Sequence, residues 1–383
     1  MTAPVAVFAA GRGELFPLAP VLRELAAAAD LAPVLLASGV TADRAYGDPL
    51  ADLDLAGVLV DHLAAGRTGV DVQDGPQIAA SVAAAVERHR PAAAVVLGDR
   101  WELLYAVPPL LLAGVPIVHL HGGEVTEGAV DERIRHAVTK LADLHCVSTE
   151  ESAARVRQLG EPADRVVVTG APGLDRLRDV RPAGDDRLAE LLGAPLRRPF
   201  ALVTYHPPTA GDADPGAGAA AVLAAVAETT ASALVTHPGA DRGRDAVMRS
   251  IAAAVAGHPQ LRDVPLLGAD YLPVLAAADV VVGNSSSGII EAAGFGVPVV
   301  DVGDRQRGRL RGANVVAAVE DRAAIAAAIR RCLEPAFRAQ ARQVTNPYGD
   351  GHAARRIVDV VRGAAASRPA AKAFVDLHPV PAP

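Results

Sequence analysis

Three features of the sequence predict an α/β fold of two parallel-sheet, Rossmann-like domains. Apolar runs of strand length alternate with amphipathic helical stretches along most of the 383 residues. The hydrophobic content of 51% is alanine and valine, with only 3% aromatic, which suits short buried strands covered by alanine-rich helices. The alternation stops near Arg178 and restarts at Phe200, which divides the chain into two domains of ordinary size.

In the first series the strands are 5–9, 33–37, 57–60, 93–97, 116–120, 145–148 and 166–169. Helical spacing occupies 15–28, 77–88, 101–112, 131–141, 150–159 and 174–177. The Pro-, Arg- and Asp-rich stretch 178–199 reads as a linker that can carry a short helix. The second series has strands at 200–204, 233–236, 264–267, 280–282, 298–302 and 315–318, with helices at 219–227, 244–256, 272–277 and 322–333. The expected domains are therefore 1–177 and 200–350, followed by a C-terminal helix at 351–365 that crosses back to the first domain. Residues 366–383 are low in complexity and read as a flexible tail. Tandem parallel sheets, each with its own strand-end loops, are expected to face a ligand cleft.

Composition excludes several classes. A net charge of -7 argues against a nucleic-acid or membrane-surface partner. No run of about 18 uncharged apolar residues occurs, and the N-terminus enters a strand without a basic and apolar leader, so a cytoplasmic protein is expected. Cys146 and Cys332 have neither metal spacing nor a disulfide framework and read as small buried thiols.

The most informative stretch is 281–309, VVGNSSSGIIEAAGFGVPVVDVGDRQRGR. A buried strand ends in a turn, Asn284-Ser285-Ser286-Ser287-Gly288, that opens a helix. Unpartnered amides and hydroxyls at such a turn suit a phosphate or diphosphate. Glu291, one turn on, suits a ribose diol, and Arg305 follows the next strand. An ordinary serine N-cap explains one of these residues but not the set. The first strand-to-helix turn, Gly11-Arg12-Gly13-Glu14, lacks the third glycine of a dinucleotide fingerprint, and its arginine suits phosphate pairing instead. No Gly-Lys-Ser/Thr loop occurs, which argues against an ordinary nucleoside triphosphatase.

Asp99 and Arg100 follow a predicted strand, where Asp99 either faces ligand or caps the next helix. The densest polar run is His119 to Gly128 (HLHGGEVTEG), with Asp131, Glu132, Arg135 and His136 after it. Asp131 and Arg135 share a helical face and could form a plain surface pair. The two histidines and Glu124 beside a glycine pair are more polar than a connector requires. A metal site is the competing reading, but the carboxylates lack metal spacing. His206 and His237 each follow a strand of the second series, and each could be a packing histidine or a site residue.

Together these segments resemble the UDP-N-acetylglucosamine 2-epimerase superfamily, most closely its hydrolysing, UDP-releasing branch. The matching stretches are GDRWELL (98–104), HLHGGEVTEGAVDERIRHAVTKLADLH (119–145), THPGAD (236–241), the 281–309 segment and NPYGDG (346–351), in family order across nearly the whole chain. The resemblance implies a GT-B-like pair of facing domains, no metal or redox cofactor, and a UDP-sugar as substrate. It implies a homodimer or homotetramer, and a product that feeds sialic-acid-type biosynthesis. Residue by residue, it implies that Arg12, Ser285 and Ser286 contact diphosphate and Glu291 the ribose. Asp99, Asp131 and His206 match acid–base or sugar-orienting positions, supported by Arg100, Glu124, Arg135 and Arg305. His121 stands where non-hydrolysing relatives carry glutamate. The binding set is completed by His237, Asp241, Asn284, Ser287 and Gly288. Two departures, Arg12-Gly13-Glu14 and Gly239-Ala240-Asp241, leave the sugar's substituents open, N-acetylglucosamine or a 4-amino or 4-acetamido 6-deoxy relative. A non-hydrolysing epimerase, a glycosyltransferase on the same scaffold and a non-catalytic nucleotide-sugar binder are the alternatives.

Overall fold

The computed structural model describes residues 2–41, 49–51, 53–63, 74–127, 129–208, 214–239, 242–367 and 370–376, with the side chains of Arg12 and Val40 outside the description. Contacts divide the chain into two units. One comprises Met1–Glu124, Asp131–Arg176 and Tyr348–Pro383, the other Val125–Val130 and Leu177–Pro347.

The first unit carries β1 (Ala3–Ala9), α1 (Arg12–Ala27), β2 (Leu31–Ala37), β3 (Leu59–His62), α2 (Gly75–His89), β4 (Ala93–Leu97), α3 (Leu103–Leu112), β5 (Ile117–Leu120), α4 (Asp131–Leu141), β6 (Leu144–Val147), α5 (Glu150–Gln158) and β7 (Val166–Val168). Its seven strands pair in parallel in the order β3-β2-β1-β4-β5-β6-β7. Successive strand side chains point to opposite faces, so Val5, Val7 and Ala9 pack with Leu15, Leu18 and Leu22 of α1. Ala6 and Phe8 pack on the other face with Ile78, Val82, Leu103 and Val107 of α2 and α3. Each Val, Leu, Ile or Phe side chain so buried contributes about 1.5–3 kcal/mol.

The second unit carries α6 (Asp185–Leu192), β8 (Phe200–Thr204), α7 (Pro215–Thr229), β9 (Ser232–Thr236), α8 (Arg244–Gly257), β10 (Leu261–Val264), α9 (Tyr271–Ala277), β11 (Val280–Gly283), α10 (Ser286–Ile290), β12 (Val299–Val302), β13 (Val315–Ala318), α11 (Arg322–Leu333) and α12 (Pro335–Ala341). Its six strands are also parallel, in the order β10-β9-β8-β11-β12-β13. Ala201 and Val203 face α7, α8 and α11, while Phe200 and Leu202 face α6 and α9.

A last helix, α13 (Ala353–Ala366), belongs to the first unit. Its apolar stripe, Ala354, Ile357, Val358 and Val361, joins the α1 core. Asp175 starts this helix by accepting the amides of Ala353 (2.8 Å) and Ala354 (2.7 Å).

Each sheet reverses strand order once, between β1 and β4 and between β8 and β11. Loops leaving the carboxyl ends of strands diverge at such a point and leave room for a ligand. The turns at Ala10–Arg12 and Gly98–Arg100 lie at the first reversal, and those at Tyr205–His206 and Asn284–Ser287 at the second.

Several elements differ from the sequence expectation. β10 lies three residues before 264–267 and contains Arg262 and Asp263, charges that an edge strand tolerates. Residues 174–177 fall in a 3-10 helix, Pro172–Asp179, and α12 follows α11 directly from a proline start. Residues 370–376, part of the stretch read as a flexible tail, make specific contacts in the first unit, described below. Among the described residues no helix is long and apolar enough to cross a membrane.

Candidate active site

At the reversal point of the first sheet, Gly98 takes φ +77°, a conformation suited to glycine, and turns the chain so that Asp99 lies two residues past the end of β4. Arg135, on the second turn of α4, is fully buried and pairs with the Asp99 carboxylate. The same guanidinium donates to Glu124 O (2.7 Å) and Glu132 Oε2 (2.8 Å). Burial opposes the arginine's charge, but Asp99 and Glu124 more than offset this, so it stays cationic. Arg135 is therefore no surface partner at helical spacing. It is the buried cation that ties α4 to the turn after β4.

The polar run after β5 separates into two roles. His119 is still in the strand, fully buried, with Nε2 2.8 Å from Gly98 O and Nδ1 3.2 Å from the Thr139 hydroxyl. Burial pushes its pKa down to about 3, so it is a neutral packing histidine. His121 lies one residue beyond the strand in a left-handed conformation, φ +63°, and turns its Nδ1 onto Glu124 Oε1. Ser148 Oγ donates to that same oxygen (2.7 Å). Glu124 is buried and thus orients both groups. When Nδ1–H donates to the carboxylate, Nε2 of the neutral ring is the basic nitrogen. Gly123 allows the approach, since a Cβ there would lie 2.2 Å from Ser152 O. Asp131, half-buried, opens α4.

Arg100 donates to Glu102 Oε2 (3.1 Å) and Oε1 (2.8 Å) and lies over Gly11. In that turn Glu14 Oε2 accepts the amides of Ala10 (2.9 Å) and Gly11 (3.0 Å). A carboxyl group of the chain thus occupies the amides that hold phosphate in a dinucleotide fingerprint. Arg12's side chain lies outside the described residues.

In the second unit, Asn284 is buried and its amide is committed to protein. Its Oδ1 accepts the His206 amide (2.7 Å) and its Nδ2 donates to His206 O (2.8 Å). Asn284, expected to bind substrate, therefore fixes the His206 backbone. Arg305 Nη1 (3.2 Å) and Gln306 Nε2 (2.9 Å) donate to Asn284 O, which brings the loop after β12 onto the serine turn. Ser285 caps α10 by accepting the Ser287 amide (3.4 Å), and Ser287 Oγ pairs with the Tyr271 hydroxyl. Ser286 is half-buried at the helix start. Gly288 serves packing, because a Cβ there would press on Val299 at 3.2 Å. Glu291 lies where α10 passes into a 3-10 turn, half-buried. His237 Nε2 is 2.8 Å from Asp263 Oδ2, next to the Thr204–Thr236 hydroxyl pair (2.9 Å). Asp241 lies outside the described residues.

The structure thus joins Asp99, Arg135, Glu124 and His121 in one cluster and His206, Asn284 and Arg305 in another. Ser148 and Glu132 extend the first cluster and Gln306 the second, while Glu102 pairs with Arg100, Tyr271 with Ser287 and Asp263 with His237. Ser148, just past β6, and Gln306, beside Arg305, carried a strand-end signal, and Glu132 and Glu102 lay in the polar run and the GDRWELL stretch. Tyr271 and Asp263 are single polar residues without such a signal.

A family model described as UDP-N-acetylglucosamine 2-epimerase matches residues 23–362. A UDP-N,N'-diacetylbacillosamine 2-epimerase (hydrolyzing) of Legionella pneumophila is 31% identical over 89% of this chain and 91% of its own length. A GDP/UDP-N,N'-diacetylbacillosamine 2-epimerase (hydrolyzing) of Campylobacter jejuni is 34% identical over 61% of each chain. The fold is similar to that of the Neisseria meningitidis UDP-GlcNAc 2-epimerase bound to UDP-GlcNAc, with TM-score 0.77, 18% identity and coverage of 94% of this chain and 99% of that one. It is similar too to the Methanocaldococcus jannaschii UDP-GlcNAc 2-epimerase in complex with UDP-GlcNAc and UDP, with TM-score 0.73, 14% identity and coverage of 94% and 99%.

Proposed function

The chain belongs to the UDP-N-acetylglucosamine 2-epimerase family and to its hydrolysing branch, and we propose that it converts a UDP-2-acetamido sugar and water to the free 2-epimer and UDP. The observation that carries this reading is the cluster in the first unit. It holds one carboxylate, Asp99, against a buried cation and one imidazole, His121, oriented by a buried carboxylate. Two proton-handling groups held in different surroundings are what an elimination followed by a hydration requires.

The C2 proton of a hexosamine has no neighbouring carbonyl to acidify it. It can leave only as the C1–O bond to the diphosphate breaks, whose electron pair departs with UDP while C1=C2 forms. The serine turn with Arg305 suits stabilisation of that departing charge, together with Arg12. Asp99 or Asp131 takes the C2 proton. A proton then returns to C2 from the other face, water adds to C1, and His121 with Glu124 and His206 handle the protons moved. Glu291 serves the ribose, and Arg100, His237 and Asp241 serve the sugar or its phosphates. None of these steps draws on a redox cofactor.

Two relatives carry N,N'-diacetylbacillosamine in their names, which supports a 4-acetamido-6-deoxy sugar beside plain N-acetylglucosamine as substrate. The free product is of the type that sialic-acid-type biosynthesis consumes. Cytoplasmic location and a homodimer or homotetramer belong to the same reading, and light scattering tests the latter. The reaction is tested by incubating the protein with each UDP-sugar and no acceptor. Free N-acetylmannosamine-type sugar and UDP in equal amounts are expected. Turnover only after an acceptor alcohol is added would assign a glycosyltransferase instead.

A further inference from the structure

The C-terminal stretch 370–376 is clipped to the first unit around one carboxylate. Glu161, whose side chain is fully buried, takes the ammonium of Lys140 (2.6 Å), Nε2 of His145 (2.9 Å) and the ammonium of Lys372 (2.9 Å). Lys372 Nζ also donates to the carbonyls of Lys140 (2.8 Å) and Ala142 (2.6 Å). These carbonyls lie at the C-terminal end of α4, where helix geometry leaves acceptors without intrahelical donors and the dipole favours a cation. Three more contacts hold the stretch. Arg165 Nη2 donates to Ala370 O (2.7 Å), the Val375 amide donates to Gly160 O (3.0 Å), and the Lys140 ammonium lies 4.9 Å from the centre of the Phe374 ring. Phe374 fits against Gly160 only because that residue has no Cβ, which would lie 2.3 Å from the ring.

We propose that Lys372 is a positioning residue, which caps α4 from the distant C-terminal stretch and so sets the register of the helix that bears Asp131, Glu132 and Arg135. The helix transmits the constraint, because its 11 residues form a rigid rod of about 16 Å with the cap at one end and the acid–base groups at the other. Burial opposes the charge of Glu161, but hydrogen bonds from His145, Lys140 and Lys372 outweigh it and hold its carboxyl down to about 2, so Glu161 stays ionised at neutral pH, while burial pulls the Lys372 and His145 values down.

The inference rests on the proposed reaction for its activity arm alone. Lys372→Met, Lys372→Arg and the unaltered chain are compared by amide hydrogen exchange, by UDP affinity and by steady-state turnover. In Lys372→Met, exchange at 138–142 rises about tenfold, kcat falls about tenfold, and UDP affinity stays within about twofold. Arginine, whose guanidinium can serve both carbonyls and Glu161, restores most of kcat. Unchanged exchange in α4 overturns the proposal, as does loss of UDP affinity in step with kcat, which marks general unfolding. Faster exchange confined to α4, in a protein whose unaltered form turns over no UDP-sugar, supports the cap and contradicts the assigned reaction.

Discussion

Glu14 and Asp99 show how differently two carboxyls of one unit are set. Burial raises the Glu14 pKa to about 8, against the opposing pull of Arg100 and of the Ala10 and Gly11 amides. Between 4.5 and about 8 the folded chain keeps a proton that the unfolded chain has lost, so this residue makes stability fall as pH rises through that window. Glu14→Gln keeps the shape and cannot ionise. The difference in urea midpoint between variant and parent is expected to shift in the variant's favour from pH 5 to pH 8. His119 has the opposite sign. Its folded value is near 3 against 6.5, so its contribution is complete above 6.5 and is lost as pH falls towards 3. Relative to His119→Gln, the parent should therefore lose stability in acid. Asp99, by contrast, is paired with a buried cation and is, with Asp131, one of the two carboxylates proposed to take the C2 proton. Asp99→Asn should lower kcat by about 10²–10⁴ while leaving UDP affinity within about twofold, read by steady-state kinetics and calorimetry.

The elements set these residues through close backbone approaches. Gly283 ends β11 at φ +142°, and a Cβ there would lie 2.0 Å from Thr204 O of β8. Gly283→Ala should cost about 3 kcal/mol or more in urea unfolding and displace the serine turn that follows. The sequence made most strands legible because buried parallel strands read as continuous valine and alanine runs. It misplaced β10, where edge position lets Arg262 and Asp263 interrupt the run. The strand-end rule put Asp99, Arg100, His121, His206, Asn284 and Arg305 just past strands, and each does follow a strand or its turn. It could not tell which polar groups are spent on the protein. Asn284 reads as a ligand contact, yet both ends of its amide bond the His206 backbone. Asn284→Ala should thus act through His206, lowering kcat and speeding exchange of the His206 amide that its Oδ1 holds.

At the scale of the whole molecule, chain order and unit membership part company. Residues 125–130 lie between Glu124 and Asp131 in sequence but belong to the second unit. There the Glu127 amide donates to Arg307 O (3.1 Å), and Arg307 Nε donates to the Glu127 carboxylate (2.8 Å). Nothing in the composition of Val125–Val130 marks that change, since a short polar loop reads alike wherever it packs. The C-terminal stretch was obscured for the same reason, because its hold on the first unit comes from Lys372 and Phe374 and not from a periodic pattern. The central claim, elimination and rehydration at C2, is tested most directly by following the protein with UDP-N-acetylglucosamine and UDP-N,N'-diacetylbacillosamine in deuterated water by proton NMR. UDP and a free 2-epimer that carries deuterium at C2 are expected. UDP release with the original proton kept at C2, or a free sugar of unchanged configuration, would contradict it.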